Sequence, residues 1–331
     1  MGRACRFRGG SRQRRWPHRD SAGIGDRPRD AAADGAAQMT AGVSRVLIVN
    51  PFASGVNERR LAAVQAALPS GTETILTQAQ GDATELAREW SPRAEAIYVF
   101  SGDGTYNEVI NGIQADVPLG FIPGGGTSVL PRALGLARDP VRAAAQIARG
   151  RPRRISLGII NGRKFAFNAG VGFDADLVRK VDGLGRRSDG KRPGDLAFGL
   201  AVVRTLVDHR LHYEPVLEVE GLGRAAFALV ANCSPYTYAG HLGLRVAPDA
   251  SFEGGLDIVA PREVRVRAIP RLAVRALRGK HGAANVLVGH DLDRILIRCD
   301  IPMPAQADGE DIGDLVEAEI IAWRDALTVL V

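Results

Sequence analysis

The sequence predicts an α/β protein, with a layered N-terminal half on a parallel sheet and a second, mostly antiparallel β half. Three observations predict it. Short unbroken apolar runs at residues 46–49, 96–100 and 119–122 have the character of strands buried on both faces. Helical stretches alternate with these runs, the pattern of βα units on a parallel sheet. Beyond about residue 154 the helices thin out and turn-bounded β-rich runs replace them.

In the first half, residues 58–68 and 84–90 read as helices. Residues 139–150 carry a full set of helix signals: Asp139 as N-cap, Pro140 at the first helical position and Gly150 just past the end. In a Rossmann-like sheet of this kind, ligands bind at the carboxyl ends of the strands. Three Gly-rich, polar loops fall there, at residues 50–55, 101–105 and 123–128.

In the second half, residues 155–160 and 164–168 flank Asn161-Gly162, a pair suited to a type I′ hairpin turn. Further strands are expected at 216–220, 225–231, 256–259, 295–298 and 317–323. Residues 179–195 are polar, Gly-rich and basic, the texture of a loop, and residues 266–280 read as a helix. This gives an Arg-rich tail at 1–42, an α/β domain at 43–153 and a β-rich domain at 154–331, whose last strands could return to the first domain.

The chain's net charge of +6 is concentrated at its start. Residues 1–38 hold nine arginines against four aspartates, a net of +5, so the remaining residues carry only +1. The pI therefore describes a tail, and the body is not a nucleic-acid binder. With no apolar period the tail is expected to be disordered, and it lacks the apolar core of a secretory signal. Met39 is an alternative start. Cys5, Cys233 and Cys299 have no paired spacing, which speaks against a disulfide scaffold or structural zinc and for a reducing compartment. The apolar stretch 196–207 is too short to span a bilayer and contains Arg204.

The chemistry concentrates in Ser101-Gly102-Asp103-Gly104-Thr105, which follows a buried strand and opens a helix. Glycines let a backbone approach phosphate oxygens, and a helix N-terminus adds free N–H groups and positive dipole. An acid there repels phosphate unless a Mg²⁺ lies between them, so Asp103 suggests a metal–nucleotide site. By itself the loop reads equally well as a tight turn with a helix cap. No Gly-x4-Gly-Lys-Ser/Thr occurs, so this is not a P-loop protein.

Several motifs in order resemble the diacylglycerol kinase catalytic-domain family, which includes bacterial lipid kinases and sphingosine kinases. They are Asn50-Pro51 with Ser54-Gly55, Gly81-Asp82-Ala83, the run from Ser101 through Asn107-Glu108 to Gly112, and Pro123-Gly124-Gly125 before Arg132-Ala133-Leu134-Gly135. Phe167-Asn168-Ala169-Gly170-Val171-Gly172-Phe173-Asp174 and Asp308-Gly309-Glu310 complete the set, so coverage runs from about Val43 to the end. The resemblance implies a nucleotide site between the α/β domain and a C-terminal β-sandwich, with ATP and Mg²⁺ as nucleotide and ion. It implies nucleotide contacts at Asn50, Ser54, Gly55, Thr77, Ser101, Gly102, Asp103, Gly104, Thr105, Tyr106, Asn107, Glu108, Gly125, Gly126 and Thr127, with Asp103 meeting the nucleotide's Mg²⁺. It makes Asp308 or Glu310 the general base on a lipid hydroxyl, Glu310 being preferred. Without the family, Asp308-Gly309-Glu310 reads as a surface turn. The resemblance to sphingosine kinases at residues 172–176 makes Asp174 and Asp176 candidates for the acceptor hydroxyls; helix capping is the alternative.

Four features depart from the family pattern or narrow it. Ser101 replaces the usual first glycine, as in sphingosine kinases. Gly126-Thr127-Ser128 lacks the usual asparagine of the third loop. Gly254 replaces the Asp through which bacterial relatives hold a structural magnesium, so that second ion is not expected. In NAD kinases the paired Asn-Glu lies in a separate segment; here Asn107-Glu108 follows Gly-Asp-Gly directly, which favours the lipid kinases. A sphingoid-base kinase and a catalytically silent nucleotide-binding protein stay open as alternatives. The expected partners are a lipid and, transiently, the inner membrane surface met from the cytoplasm. Arg267, Arg271, Arg275 and Arg278 at helical spacing could contact that surface. A homodimer is a further option.

A chain lacking residues 1–38 is expected to keep its melting temperature and its activity, because the segment has no means of joining a core. A large drop in melting temperature on truncation would show the tail to be structural.

Overall fold

The computed structural model describes residues 44–183, 212–265 and 285–331, together with Val274 and Arg278. The tail at 1–42, the remainder of the basic stretch from residue 184, the apolar stretch 196–207 and the expected helix at 266–280 lie outside these, apart from Val274 and Arg278.

Strands β1 (Ser44–Val49), β2 (Glu73–Leu76), β3 (Ala94–Ser101) and β4 (Leu119–Pro123) form a parallel sheet in the order β4-β3-β1-β2. Val46, Leu47, Ile48 and Val49 are all fully buried, so β1 is covered on both faces and its unbroken apolar run is explained. Each such side chain contributes roughly 1.5–3 kcal/mol by leaving water. Helices α1 (Glu58–Ala67), α2 (Asp82–Trp90), α3 (Asp103–Gly112), α4 (Val129–Ala133) and α5 (Pro140–Arg149) accompany the strands. The Asp139 side chain accepts from the Arg142 N–H, Pro140 opens α5 and Gly150 closes it. Asn57 caps α1 in the same way through the Arg60 N–H.

The second half is antiparallel. Its central strands are β5 (Pro152–Ile160), β6 (Arg163–Phe165), β7 (Asn168–Val171), β9 (Leu217–Val219), β10 (Gly223–Ala225), β11 (Ala228–Ala231), β14 (Leu256–Pro261), β16 (Val286–Leu292), β17 (Arg294–Ala307) and β18 (Glu310–Leu330). Short pairs lie off this sheet: β8 (His212–Tyr213) with β15 (Val264–Arg265), and β12 (Thr237–Ala239) with β13 (Leu242–Leu244). A core including Phe165, Val171, Val230, Leu256, Ile258, Ile297 and Ile320 fills the interior of this half.

Two expected strands are interrupted, for a common reason. Residues 164–168 split between β6 and β7 because the Ala166 and Phe167 N–H groups donate to the Asp308 carboxylate rather than to a ladder. Residues 225–231 split between β10 and β11, where the Ala226 N–H donates to the Pro261 carbonyl. Residues 179–183, expected in a loop, instead complete helix α6 (Phe173–Gly183), which opens with Asp174 and Asp176 and carries an Asp176–Lys180 ion pair one turn apart.

β18 joins the two halves. Its first part pairs with β17, residues 320–330 pair antiparallel with β5, and Val329 pairs in parallel with Leu119 of β4. One sheet therefore runs from the β half into the α/β half. Between β17 and β18, Asp308 and Gly309 both have positive φ, +50° and +77°, the backbone of a two-residue type I′ hairpin turn. Among the described residues no helix is long and apolar enough to cross a membrane.

Helices α2 and α3 meet backbone to backbone at Gly112. A Cβ there would come within 2.2 Å of the Thr84 carbonyl oxygen. Helix propensity alone favours alanine over glycine by roughly 1 kcal/mol. Overpacking against backbone costs about 1–3 kcal/mol and should win. Gly112→Ala is thus expected to lower the unfolding free energy measured in urea; a gain would show that α2 yields freely.

Candidate functional site

The site forms where the carboxyl ends of β1, β3 and β4 meet the hairpin turn at Asp308-Gly309. Loop 50–55 and loop 123–128 are stitched together by the Gly55 N–H, which donates to the Gly124 carbonyl at 2.7 Å. Gly102 and Gly125 pack so closely that a Cβ on Gly125 would lie 2.8 Å from the Gly102 Cα. The Asn50 amide donates to Thr105 Oγ1 at 3.3 Å, and Ser101 Oγ donates to the same hydroxyl at 2.8 Å. Thr77 is buried at the end of β2, its N–H on the Val49 carbonyl, just beneath Asn50. Ser54, Gly126 and Thr127 are exposed on the rim.

Asp103 begins α3, yet its carboxylate reaches across to the third loop. Oδ2 accepts from the Val129 N–H at 2.9 Å and Oδ1 from the Leu130 N–H at 3.1 Å. The acid thereby does for α4 what a capping side chain would do, in a segment where Ser128 sits at φ +49° and makes no cap bond. Arg132 on α4 lies 3.4 Å over the ring of Tyr238 and donates to the Gly240 carbonyl, which ties this helix to the β12–β13 hairpin.

Not every residue of the Ser101–Glu108 run faces the cleft. Tyr106 is buried, with its hydroxyl between the Ser101 and Ile122 carbonyls at 2.7 and 2.6 Å. Burial holds its phenol well above the usual tyrosine range. Its side chain is therefore a core element beneath the loop. Asn107 is also buried and turns toward the second half: its amide donates to Asp308 Oδ2 at 2.9 Å and to the Lys164 carbonyl at 3.0 Å. Glu108 is half-buried, and its carbonyl accepts from Thr84 Oγ1.

Asp308 and Glu310, adjacent in the motif, have opposite environments. The Asp308 carboxylate is 4% exposed and accepts from the N–H groups of Ala166, Phe167 and Asn168 as well as from Asn107. Burial pushes its pKa up to about 6 against the downward pull of those donors. Glu310 stands clear of that pocket and lies over the first turn of α3. Its Oε1 sits where a Cβ on Gly104 would be only 2.7 Å away, and its Oε2 meets Arg163 Nη2 at 2.5 Å.

Toward the other side, the Gln306 Oε1 accepts from the Gly309 N–H, while its Nε2 donates to Asp174 Oδ2 at 2.6 Å and to Asn168 Oδ1 at 2.9 Å. Tyr236 Oη also donates to Asp174, at 2.7 Å. Burial raises the Asp174 pKa, opposed by these two donors. Asp176 turns aside to Lys180. Arg163, Gln306 and Tyr236 are the members that the sequence did not single out. The Asn161-Gly162 turn indicates where the Arg163 hairpin bends, but its partner Glu310 is 147 residues away.

The cradle suits a phosphate-bearing nucleotide. Gly126 has open space above it, and α3 begins at Gly102 without a side-chain cap on its first N–H groups. Among the described residues no group of three or more His, Cys, Asp or Glu side chains is placed to hold an ion. Near Gly254 a cleft of about 280 Å³ is lined by Asp249, Asp257 and Asp291 together with the Arg324 guanidinium, which lies 3.0 Å from Asp291 Oδ1 and 2.8 Å from Asp293 Oδ1.

An α/β layer with phosphate-suited loops, continuous with an antiparallel β-sandwich, defines a protein of the diacylglycerol kinase and NAD kinase type. Residues 44–160 match the family model of the diacylglycerol kinase catalytic domain, and residues 168–331 match that of the YegS C-terminal NAD kinase beta sandwich-like domain. A diacylglycerol kinase of Bacillus subtilis (strain 168) is 30% identical over 257 residues, covering 76% of this chain and 82% of that protein. A diacylglycerol kinase of Staphylococcus carnosus (strain TM300) is 27% identical over 256 residues, with 74% and 79% covered. A crystal structure of a diacylglycerol kinase from Bacillus anthracis str. Sterne shares the fold with a TM-score of 0.65 at 20% identity, covering 87% of this chain and 96% of that one. The chain belongs to the diacylglycerol kinase family.

The raised pKa of Asp308 has a consequence for stability. From about pH 4 to pH 6 the folded chain holds this proton more tightly than the unfolded chain, where an aspartate titrates near 3.9. Stability from this group is therefore greatest below pH 4 and falls as pH rises through 6. The expected difference in unfolding free energy between the native protein and Asp308→Asn shrinks by roughly 3 kcal/mol from pH 4 to pH 7. A difference that grows or stays level in urea titrations would contradict the assignment.

Proposed function

We propose that this chain is an ATP-dependent lipid kinase that transfers the γ-phosphoryl group to a hydroxyl of diacylglycerol or a related lipid alcohol. The observation that carries the proposal is Glu310 Oε1 lying over Gly104 at the opening of α3. That position sets a carboxylate from the β half beside the phosphate-binding turn of the α/β half. Two relatives named diacylglycerol kinase support the choice of acceptor.

In this reading, backbone N–H groups at the start of α3 and in the loop from Gly125 to Thr127 cradle the phosphates, and the helix dipole favours their charge. Asn50, Thr105 and Ser101 hold that cradle in shape through their shared hydrogen bonds. Mg²⁺ arriving with the nucleotide would neutralise phosphate charge, and Asp103 is the acid that would meet it. Glu310 accepts the hydroxyl proton late in transfer, when the oxygen is already bonding to phosphorus, so an ordinary carboxylate suffices. Asp308 is not the base, because its oxygens are committed to four donors; it fixes the turn that carries Glu310. The buried Asp174–Tyr236–Gln306 network lies on the acceptor side and orients what enters there. The enzyme works from the cytoplasm at the inner membrane face.

Incubation with labelled ATP and diacylglycerol, sphingosine or total lipid extract tests the reading, with diacylglycerol expected to be labelled. Glu310→Gln should lower kcat by roughly 10²–10⁴-fold, the range for losing a general base. The KM for ATP should stay within a few-fold and the melting temperature should not change. Near-normal turnover in this variant would overturn the base assignment, and labelling of sphingosine alone would reassign the acceptor.

A further inference from the structure

Glu310 must keep one oxygen aimed at α3, although it follows a hairpin turn and its side chain has three rotatable bonds. Arg163 supplies the restraint. It follows the Asn161-Gly162 turn, where both residues have positive φ, so the start of β6 is rigidly directed. Its Nη2 bridges two acceptors, Glu310 Oε2 at 2.5 Å and Asn107 Oδ1 at 2.9 Å. Asn107 in turn donates to Asp308, two residues before Glu310. The four side chains make a closed circuit that begins and ends on the same hairpin turn.

The circuit divides the Glu310 carboxylate. Oε2 meets the guanidinium, and Oε1 lies over Gly104 at the opening of α3. The Arg163 side chain is 38% exposed and that of Glu310 24%, so this is a half-buried charge pair rather than a freely solvated one. Arg163 Nε is buried and makes no hydrogen bond, which shows that the side chain is held by its two acceptors and by packing, not by a fuller set of bonds of its own. A guanidinium suits the task because its planar donors can meet two acceptors at a fixed angle, which an ammonium cannot.

We infer that Arg163 is a positioning residue for the phosphoryl-transfer reaction, acting through Glu310. The inference rests on the reading of Glu310 as the base. Arg163 orients that base by holding one carboxylate oxygen while the other faces the acceptor hydroxyl. Misplacement of a reacting group by about 1 Å can cost 10²-fold in rate, so the effect should be large for a residue that touches no substrate.

The test uses the full chain with labelled ATP and diacylglycerol in mixed micelles. Arg163→Met, which keeps the apolar stem but removes charge and donors, is expected to lower kcat by about 10–100-fold. The KM for ATP should stay within a few-fold, and Arg163→Lys should recover part of the loss. In a Glu310→Gln background, Arg163→Met should cause little further fall, as expected for groups acting as a unit. Equal losses from Arg163→Met in both backgrounds, or a kcat within two-fold of the native enzyme, would overturn the inference. If Glu310→Gln alone turned over normally, the base reading itself would fail, and that result is separately visible. Should Arg163→Met fold poorly, Arg163→Lys and Arg163→Gln carry the same comparison, with melting temperature as the control.

Discussion

The arrangement depends on one buried carboxylate. Asp308 lies in the interior, where an unpaired charge is costly, and four donors from three different segments converge on it. Those donors come from α3, from the bend between β6 and β7, and from the start of β7 itself. Satisfying them breaks a strand that the sequence would otherwise continue, and it draws the β17–β18 turn against the opening of α3. Glu310 reaches the phosphate-suited turn because Asp308, two residues earlier, is locked in place. The burial that makes the group expensive is offset by these donors, which hold its position.

The continuous sheet provides the frame for that contact. β18 is 21 residues long and pairs in turn with β17, β5 and β4. A strand of this length in one sheet limits relative movement of the halves, because hinging them would break ladder hydrogen bonds. The cleft between the α/β loops and the hairpin turn is framed by this one sheet.

Within the cleft, acidic groups divide the tasks by their surroundings. Asp103 is held by two N–H groups of α4 and so couples the first phosphate-suited loop to the third. The altered third loop, Gly126-Thr127-Ser128, keeps its shape through this contact and through the bond between Ser128 Oγ and the Gly125 N–H. Asp174 sits in a buried network with Tyr236 and Gln306, and Gln306 connects it to the Gly309 N–H. Both sides of the cleft thus report to the same two-residue turn. Near Gly254, the Arg324 guanidinium stands among acids, paired with Asp291 and Asp293.

Much of this was legible in the residues. The α/β order, the buried β1, the capped helix α5 and the type I′ turn at Asn161-Gly162 follow from local rules, because each depends on neighbours within a few positions. Ser101 through Thr105 announced a phosphate-suited turn for the same reason, whereas Asp308-Gly309-Glu310 read by local rules only as a surface turn. What local rules could not supply was which side chains of the Ser101–Glu108 run face the cleft: Tyr106 belongs to the core and Asn107 to the contact with Asp308. Nor could they show that the Asp308 turn is buried rather than on the surface, or that Arg163 meets Glu310. The burial of the Asp308 turn and the Arg163–Glu310 contact hinge on pairings between residues 140 or more positions apart. The sequence by itself determined the elements and the chemistry available. Tertiary structure alone decided which carboxylate is enclosed and which is presented, because desolvation and donor number are properties of a folded environment and not of a residue's neighbours in the chain.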